Sequence, residues 1–260
     1  MNIAFTKASA CGNDFLVING SHAEAGISEL SRSLCDRHNG VGADGVEWLF
    51  PDAEANIYAR LINADGSEAE ISGNGTRCVA AYLANQGKTG KITVRTGAGI
   101  KTCELVSQTG ESFEFETEMG APQVDLPFSM NMSFGELEGT PVSMGNPHYV
   151  IFVNEFAPRW PSEGAEIGRD PRFPHGVNVE FVRVTGRYDI EVRFYERGAG
   201  ETQSSGTGSC ACAVAAISSG RAHSPLNVHA PGGTQMVRWQ GQSVFLRGPA
   251  RLICQGEFFY

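Results

Sequence analysis

The sequence predicts a mixed α/β protein made of two similar halves, with β-strands wrapped around one central helix in each half. Short β-like runs recur between Gly, Asn and Asp along the whole chain, which contains 32 glycines. Two Ala-rich segments, at residues 75–85 and 208–219, have the composition of helices and stop next to a glycine. Because Ala and Cys occur on all sides of both helices, we expect each helix to be buried on most sides.

The strand predictions cover both halves of the chain. Apolar and polar residues alternate in segments 179–184 and 190–195, which is typical of half-buried strands. The strands predicted on such patterns are 3–7, 15–19, 45–50, 57–63, 92–96, 112–118, 141–143, 148–153, 178–185, 190–195, 226–229, 235–239, 243–246 and 250–259. Shorter helices are predicted at 28–37 and 165–169, and residues 120–127 are predicted to form a crossover between the halves.

Length, charge and cysteine content disfavour several classes of protein. The 260 residues, 41% of them hydrophobic, suffice for two modest domains with real cores. A formal net charge of −9 disfavours nucleic acid and anionic membranes as partners. No leader-like start and no run of roughly 18 apolar residues is found, and seven scattered cysteines are typical of free thiols in the cytoplasm. We therefore expect a cytoplasmic protein with no membrane or nucleic-acid partner.

Two segments of the chain, residues 63–78 and 196–210, are versions of one another. Both contain Ser-Gly-x-Gly at the start of a predicted helix, and Ser205 follows Ser72 by 133 residues. A helix start offers unpaired N–H groups and a partial positive charge, so two such starts suit a carboxylate ligand. Serine is also an ordinary helix N-cap, but the duplication favours a functional site. Neither segment has the spacing of a nucleotide-binding glycine loop.

An ordered set of motifs extends from one end of the chain to the other. In sequence order these are Phe5-Thr-Lys7, Gly12-Asn13-Asp14-Phe15, Asp36-Arg37-His38, Gly40-Val-Gly42-Ala-Asp44-Gly45, Asn63-Ala-Asp-Gly66-Ser67-Glu68, Met144-Gly-Asn146-Pro147-His148, Val177-Asn178-Val179-Glu180-Phe181, Glu196-Arg197-Gly-Ala-Gly-Glu201-Thr202, Gly248-Pro-Ala250 and Gly256-Glu257. With these motifs the chain resembles the diaminopimelate epimerase family, a group of cofactor-independent amino-acid racemases and epimerases.

The resemblance implies both a fold and a reaction. The implied α/β (α+β) fold has two pseudo-symmetric domains, each a barrel-like, mostly antiparallel sheet around a central helix. We expect an N-terminal domain of residues 1–117 plus 248–260 and a C-terminal domain of residues 118–247. Ser72 and Ser205 are then expected to face one cleft that holds the substrate. The implied reaction is LL-to-meso epimerisation of diaminopimelate by two-base α-proton transfer, an isomerase step of lysine biosynthesis.

The resemblance also implies residue roles. Asn13, Asn63, Asn146, Asn178 and Arg197 match substrate-binding positions, and Glu196 matches a contact to the amine at the reacting carbon. The backbone cradles for the substrate carboxylate match Gly73, Asn74, Gly206 and Thr207, and His148 is a candidate for orienting the site.

At the two proton-transfer positions, which the family fills with cysteine, this chain has Ser72 and Ser205. If the pKa of a serine hydroxyl lies roughly five units above that of a thiol, forming each base costs about 7 kcal/mol more, so we expect the two serines to impair the epimerase activity. The serines could be replacements introduced to trap substrate, or natural residues activated by a base such as His148 or His175. The sequence also leaves open a non-catalytic amino-acid-binding protein and an isomerase of another substrate class, such as one that moves a double bond.

No cofactor or metal is expected. The four lysines all lie outside the duplicated motif, which disfavours a pyridoxal phosphate enzyme because that cofactor needs a Schiff-base lysine. The cysteines lack the paired spacing of a zinc site, and those on the two helices are expected to be core residues. The expected partner is a small amino-acid substrate, and the sequence is compatible with a homodimer.

Overall fold

The computed structural model describes residues 2–22 and 26–260. The helices are α1 (Ile27–Cys35), α2 (Gly73–Asn85), α3 (Trp160–Ile167) and α4 (Gly206–Ser218). The strands are β1 (Asn2–Ala10), β2 (Asn13–Asn19), β3 (Gly45–Phe50), β4 (Ile57–Asn63), β5 (Glu68–Ala69), β6 (Lys91–Thr96), β7 (Gly99–Thr109), β8 (Ser112–Gly120), β9 (Gln123–Val124), β10 (Phe128–Met132), β11 (Gly135–Ser143), β12 (Pro147–Phe152), β13 (Asn178–Gly186), β14 (Asp189–Glu196), β15 (Gly200–Thr202), β16 (Leu226–Ala230), β17 (Gly233–Gln240) and β18 (Ser243–Phe259).

The chain divides into two compact units. Unit 1 contains Met1–Thr117 and Gly248–Tyr260, and unit 2 contains Glu118–Arg247. Each unit combines a sheet with a helix whose side chains are buried, so the predicted mixed α/β class is confirmed.

In unit 1 the sheet closes into an eight-stranded barrel. Going round it, β1 pairs with β2, then come β3, β4, β6, β7, β8 and β18, and β18 pairs with β1 again. The β2–β3 and β4–β6 pairs are parallel. Helix α2 packs against this sheet, and its residues Cys78, Val79, Ala80 and Ala81 are completely buried. Small side chains allow the strands to pack close to the helix on several sides.

Unit 2 repeats this plan around α4. Its sheet contains β11, β12, β13, β14, β16 and β17 as successive neighbours, with parallel pairs at β12–β13 and β14–β16. The α4 residues from Cys210 to Ala216 are completely buried among apolar side chains of these strands. A second cluster of apolar residues packs α3 against the sheet, where the rings of Trp160 and Phe181 meet edge to face.

Several elements differ from the sequence prediction. The helix predicted at 165–169 begins five residues earlier, at Trp160, because Pro161 is well suited to a first helical turn. Helix α2 begins at Gly73, because Ser72 caps it. Strands β5, β7, β9, β10 and β15 were not predicted; most side chains of β7 are exposed, so its apolar pattern is weak.

Candidate active site

Ser72 is fixed at the start of α2. Its backbone is extended, its Oγ accepts a hydrogen bond from the Gly75 N–H at 3.1 Å, and its carbonyl accepts one from the Thr76 N–H at 2.8 Å. The Ser72 side chain therefore satisfies one of the N–H groups that a helix start leaves unpaired, and its carbonyl accepts the first hydrogen bond within the helix. We call Ser72 and the unit 1 residues Asn13, Glu47, Asn63 and Asn74 the first half-site.

Two amide side chains beside Ser72 hold each other in place. The Asn74 amide nitrogen donates to Asn13 Oδ1 at 2.7 Å, and its Oδ1 accepts a hydrogen bond from Arg77 Nη2 at 2.5 Å. Arg77 is only 1% exposed, and its Nε donates to the Pro249 carbonyl at 3.3 Å. The orientation of Asn74, and through it that of Asn13, is therefore set by a buried guanidinium.

The loop that carries Asn13 is anchored by ion pairs. Asp14 lies 2.9 Å from Lys7 and 2.7 Å from Arg37, and Arg37 also contacts Asp44 at 2.8 Å. Burial opposes the charge of Asp14, but the hydrogen bonds from Arg37 and Lys7 outweigh it and lower its pKa to about 2. Asn13 itself donates to Asp44 Oδ2 at 3.1 Å, so this network also fixes a predicted site residue.

Asn63 lies at the end of β4 and is held by a turn. Its backbone N–H donates to the Ser67 carbonyl at 2.8 Å, and its side-chain amide donates to Ser67 Oγ at 3.0 Å. Arg60, near it on the same strand, pairs with Glu68 at 2.6 Å.

A carboxyl group lies under the start of α2. Glu47 is on β3 and only 3% exposed. A Cβ placed on Gly75 would overlap Glu47 Oε1 and would lie 3.3 Å from Ser72 Cβ, so the carboxyl and the serine are neighbours at Gly75. Burial raises the pKa of Glu47 to about 8, which keeps most of this group protonated at neutral pH.

Ser205 occupies the matching position at the start of α4 in unit 2. Its Oγ accepts from the Gly208 N–H at 3.2 Å and its hydroxyl donates to Glu196 Oε2 at 3.2 Å. The other oxygen of Glu196 accepts from Thr202 Oγ1 at 2.5 Å. Burial raises the pKa of Glu196, and the two hydroxyl hydrogen bonds partly oppose that rise. Ser205 thus has a carboxyl group as its direct hydrogen-bond partner.

His148 connects two other groups of what we call the second half-site, which comprises Asn146, His148, Asn178, Glu180, Glu196, Arg197, Ser205 and Thr207. Its Nδ1 lies 2.6 Å from Glu180 Oε1, and its Nε2 lies 3.0 Å from Asn146 Oδ1. Asn146 in turn donates to Thr207 Oγ1 at 3.3 Å. Burial raises the pKa of Glu180 and His148 opposes that rise, while Glu180 Oε2 has no hydrogen-bond partner among the described residues.

Asn178 and Arg197 are joined through the backbone. The Asn178 amide donates to the Pro147 carbonyl at 2.9 Å, and its Oδ1 accepts from the Arg197 N–H at 3.0 Å. Arg197 Nη1 donates to the His175 carbonyl at 3.0 Å. Asn178 therefore ties the start of β12 to the turn after β14. In unit 2 the structure brings together Asn146, His148, Asn178, Glu196, Arg197, Ser205 and Thr207.

The duplication extends to residues outside the sequence motif. The same offset of 133 residues that relates Ser72 to Ser205 relates Asn13 to Asn146 and Glu47 to Glu180. Both glutamates lie against the second glycine of a Ser-Gly-x-Gly turn, since a Cβ on Gly208 would lie 3.0 Å from Glu180 Oε1. Neither glutamate was predicted as a site residue from the sequence. For Glu47, the feature that could have drawn attention to it is a carboxyl group within the otherwise uncharged strand β3.

The described residues contain no group of three or more His, Cys, Asp or Glu side chains placed to hold a metal ion. All seven cysteines are free thiols, and all except Cys254 are buried. Across residues 2–22 and 26–260, no helix is both long enough and apolar enough to cross a membrane.

Comparison with known proteins places the chain in a family. The family model for diaminopimelate epimerase matches residues 5–124 and 140–253. The diaminopimelate epimerase of Halothermothrix orenii is 38% identical over 99% of this chain and 98% of its own length, and that of Pelotomaculum thermopropionicum is 38% identical over 98% and 99%.

Solved structures agree on the fold. A Bacillus anthracis phenazine biosynthesis protein of the PhzF family superposes with a TM-score of 0.78 at 15% identity, covering 100% of both chains. A probable proline racemase from Agrobacterium radiobacter gives 0.73 at 17% identity, covering 98% of this chain and 92% of that one. On the sequence matches, the chain belongs to the diaminopimelate epimerase family and is an isomerase scaffold for amino acids.

Proposed function

We propose that the protein inverts the α-carbon of diaminopimelate, from the LL to the meso form, with proton transfer at the positions of Ser72 and Ser205. The observation that carries this proposal is the repeated serine-capped helix start, in which each serine has a carboxyl group beside it. The relatives with 38% identity over nearly the whole chain carry the name of that activity.

The helix starts suit the substrate's α-carboxylate. The backbone at Gly73 and Asn74 begins α2, and that at Gly206 and Thr207 begins α4. N–H groups and the helix dipole at these positions favour an anion. Removing the α-proton pushes negative charge into the carboxylate, so the same groups stabilise the transition state more than the ground state.

The other polar groups suit the rest of a diamino-dicarboxylate. Arg197 offers a planar guanidinium for the distal carboxylate, and Asn63, Asn146 and Asn178 supply amide donors and acceptors. Asn13 supports the carboxylate cradle through its hydrogen bond with Asn74. On this proposal Glu196 contacts the substrate amine, and its hydrogen bond with Ser205 supports a role in accepting the proton of that serine. On this proposal the reaction uses no cofactor and no metal.

A second candidate function is binding without turnover. It is favoured by the serines themselves, whose oxygens accept hydrogen bonds from helix N–H groups and whose hydroxyls are weak acids. In that case diaminopimelate would bind but exchange no α-proton.

The two candidates are separated by incubating the protein with LL-diaminopimelate in heavy water. Mass spectrometry follows deuterium at the α-carbon, chiral chromatography follows the stereoisomers, and calorimetry measures binding. We expect slow exchange and inversion in the parent, and a sharply higher rate in the form with Ser72→Cys and Ser205→Cys, because a thiol is the stronger acid. Binding with no exchange in either form would support the second candidate, and absence of binding would refute both.

A further inference from the structure

Glu47 is a carboxyl group in a place where the fold needs an apolar side chain. On β3 it lies opposite Val17 of β2 and Leu61 of β4, and the residues from Gly45 to Leu49 are all buried. Burial raises the pKa of Glu47, and no charged partner opposes that rise. Burying such a group lowers the stability of the fold. We therefore infer that Glu47 has a role in function and not in packing.

The matching residue in unit 2, Glu180, has a histidine as its hydrogen-bond partner. Glu180 has His148 at 2.6 Å, whereas the position that corresponds to His148 in unit 1 is Phe15. Glu180 is thereby tied to a histidine that holds Asn146, and its role there is to orient that chain of hydrogen bonds. Glu47 has no such histidine, although it occupies the same place beneath a helix start.

The two serines also differ in what can take their proton. Ser205 donates directly to the carboxyl of Glu196. The residue that corresponds to Glu196 in unit 1 is Asn63, whose amide cannot take up a proton at neutral pH. Glu47 is the carboxyl group that adjoins Ser72, since both meet at Gly75.

We propose that Glu47 is the acid–base partner of Ser72 and makes the first half-site competent for proton transfer without a thiol. The substrate Cα–H bond breaks, its electron pair stays on the substrate and delocalises into the α-carboxylate, and the proton forms a new O–H bond on Ser72. The original Ser72 proton passes to the Glu47 carboxylate. In the reverse direction, neutral Glu47 returns that proton as Ser72 gives its own to the carbanion.

This role rests on the proposed function, and Glu47 acts through Ser72 as a positioning residue. A pKa of about 8 suits it, because a group near the working pH can both accept and donate. The titratable group that its charge reaches on α2 is Cys78, a buried thiol whose raised pKa reflects burial first, with Arg77 opposing and Glu47 contributing. The neighbouring strands present apolar Val17 and Leu61 at the same register.

The test compares Glu47→Gln in two backgrounds, the parent and Ser72→Cys. In the parent, Glu47→Gln should lower kcat for α-proton exchange by about 100-fold or more, with KM changed less than about threefold. In the Ser72→Cys background Glu47→Gln should lower kcat by less than about threefold, because a thiol ionises near neutral pH without a partner carboxylate. When kcat is measured as a function of pH, the parent should show a change near pH 8 that the Glu47→Gln variant lacks.

A matched control is Glu163→Gln, which changes another buried glutamate, on α3 and outside both half-sites, and should leave kcat unchanged. Equal losses in both backgrounds would mean that Glu47 only supports packing, and the proposal would be overturned. An inactive parent with an active Ser72→Cys, Ser205→Cys form would overturn the role of Glu47, and it would show that the site can carry out the proposed reaction only with thiols. Inactivity of both forms would refute the proposed function itself.

Discussion

The two half-sites share a backbone and differ in their acid–base groups. Both begin a buried helix with a serine whose oxygen accepts an N–H from the second glycine of the turn. In the second half-site the serine donates to Glu196, at the end of β14, whereas in the first the adjacent carboxyl is Glu47, in the middle of β3. The proposed function accounts for this difference: binding the substrate carboxylate would require the same backbone geometry at both helix starts, whereas taking up a proton would require only a nearby group with a suitable pKa.

The largest expected effect concerns Glu47, the buried carboxyl group of the first half-site. The pKa of Glu47 is about 8 when folded and close to its ordinary value of 4.5 when unfolded. Between these values the folded state keeps a proton that the unfolded state has lost, so stability is full below the lower value and falls as pH rises through the upper one. The loss should approach roughly 3–5 kcal/mol.

Urea unfolding at pH 5, 6.5 and 8.5 measures how the free energy of unfolding falls with pH. Glu47→Gln should abolish most of that fall. The Gln variant should also be the more stable protein at pH 8.5, because it never buries a charge. Equal pH dependence in parent and variant would show that Glu47 ionises normally in the folded protein.

A smaller effect is expected for the distal end of the substrate. Arg197 belongs to the second half-site, and the residue that corresponds to it in unit 1 is Ala64. Arg197→Lys keeps the charge but loses the planar fork, and should weaken diaminopimelate binding by about 1.5–3 kcal/mol in calorimetry. Arg183→Lys, at an ion pair with Glu191, is the control and should not change affinity. If Arg197→Lys left the affinity unchanged, Arg197 would not bind the substrate, and the two half-sites would not differ at this position in substrate binding.

The smallest effect concerns the two glycines that contact the buried glutamates. Gly75→Ala pushes a methyl into Glu47 Oε1, and Gly208→Ala places one 3.0 Å from Glu180 Oε1 and from the Phe194 ring. Each should cost about 1–3 kcal/mol of unfolding free energy. Adding Glu47→Ala should restore stability to Gly75→Ala, while Glu180→Ala should not rescue Gly208→Ala because the ring remains. Rescue in both cases, or in neither, would contradict the packing difference between the half-sites.

Sequence patterns predicted the helices at both sites because serine, glycine and alanine have strong local preferences. The predicted helices 75–85 and 208–219 agree with α2 and α4 to within two residues at each end. The amide contacts could not be predicted in this way, since Asn13 reaches Asn74 across 61 positions of the chain. Glu47 was overlooked for a related reason. A strand buried on both faces has no polar alternation, so a carboxyl within it gives no periodic signal.

The last strand has a consequence for how the protein is made. β18 pairs with β1, Asn2 opposite Phe259, and with β8, so it supplies one wall of the unit 1 barrel. A ribosome produces β1 to β8, then the rest of unit 2, and only then the part of β18 that belongs to unit 1, from Gly248 onward. Until that moment the nascent unit 1 has two unpaired strand edges, which can pair with other chains. Unit 2 is continuous in sequence from Glu118 to Arg247, so its chain is complete first.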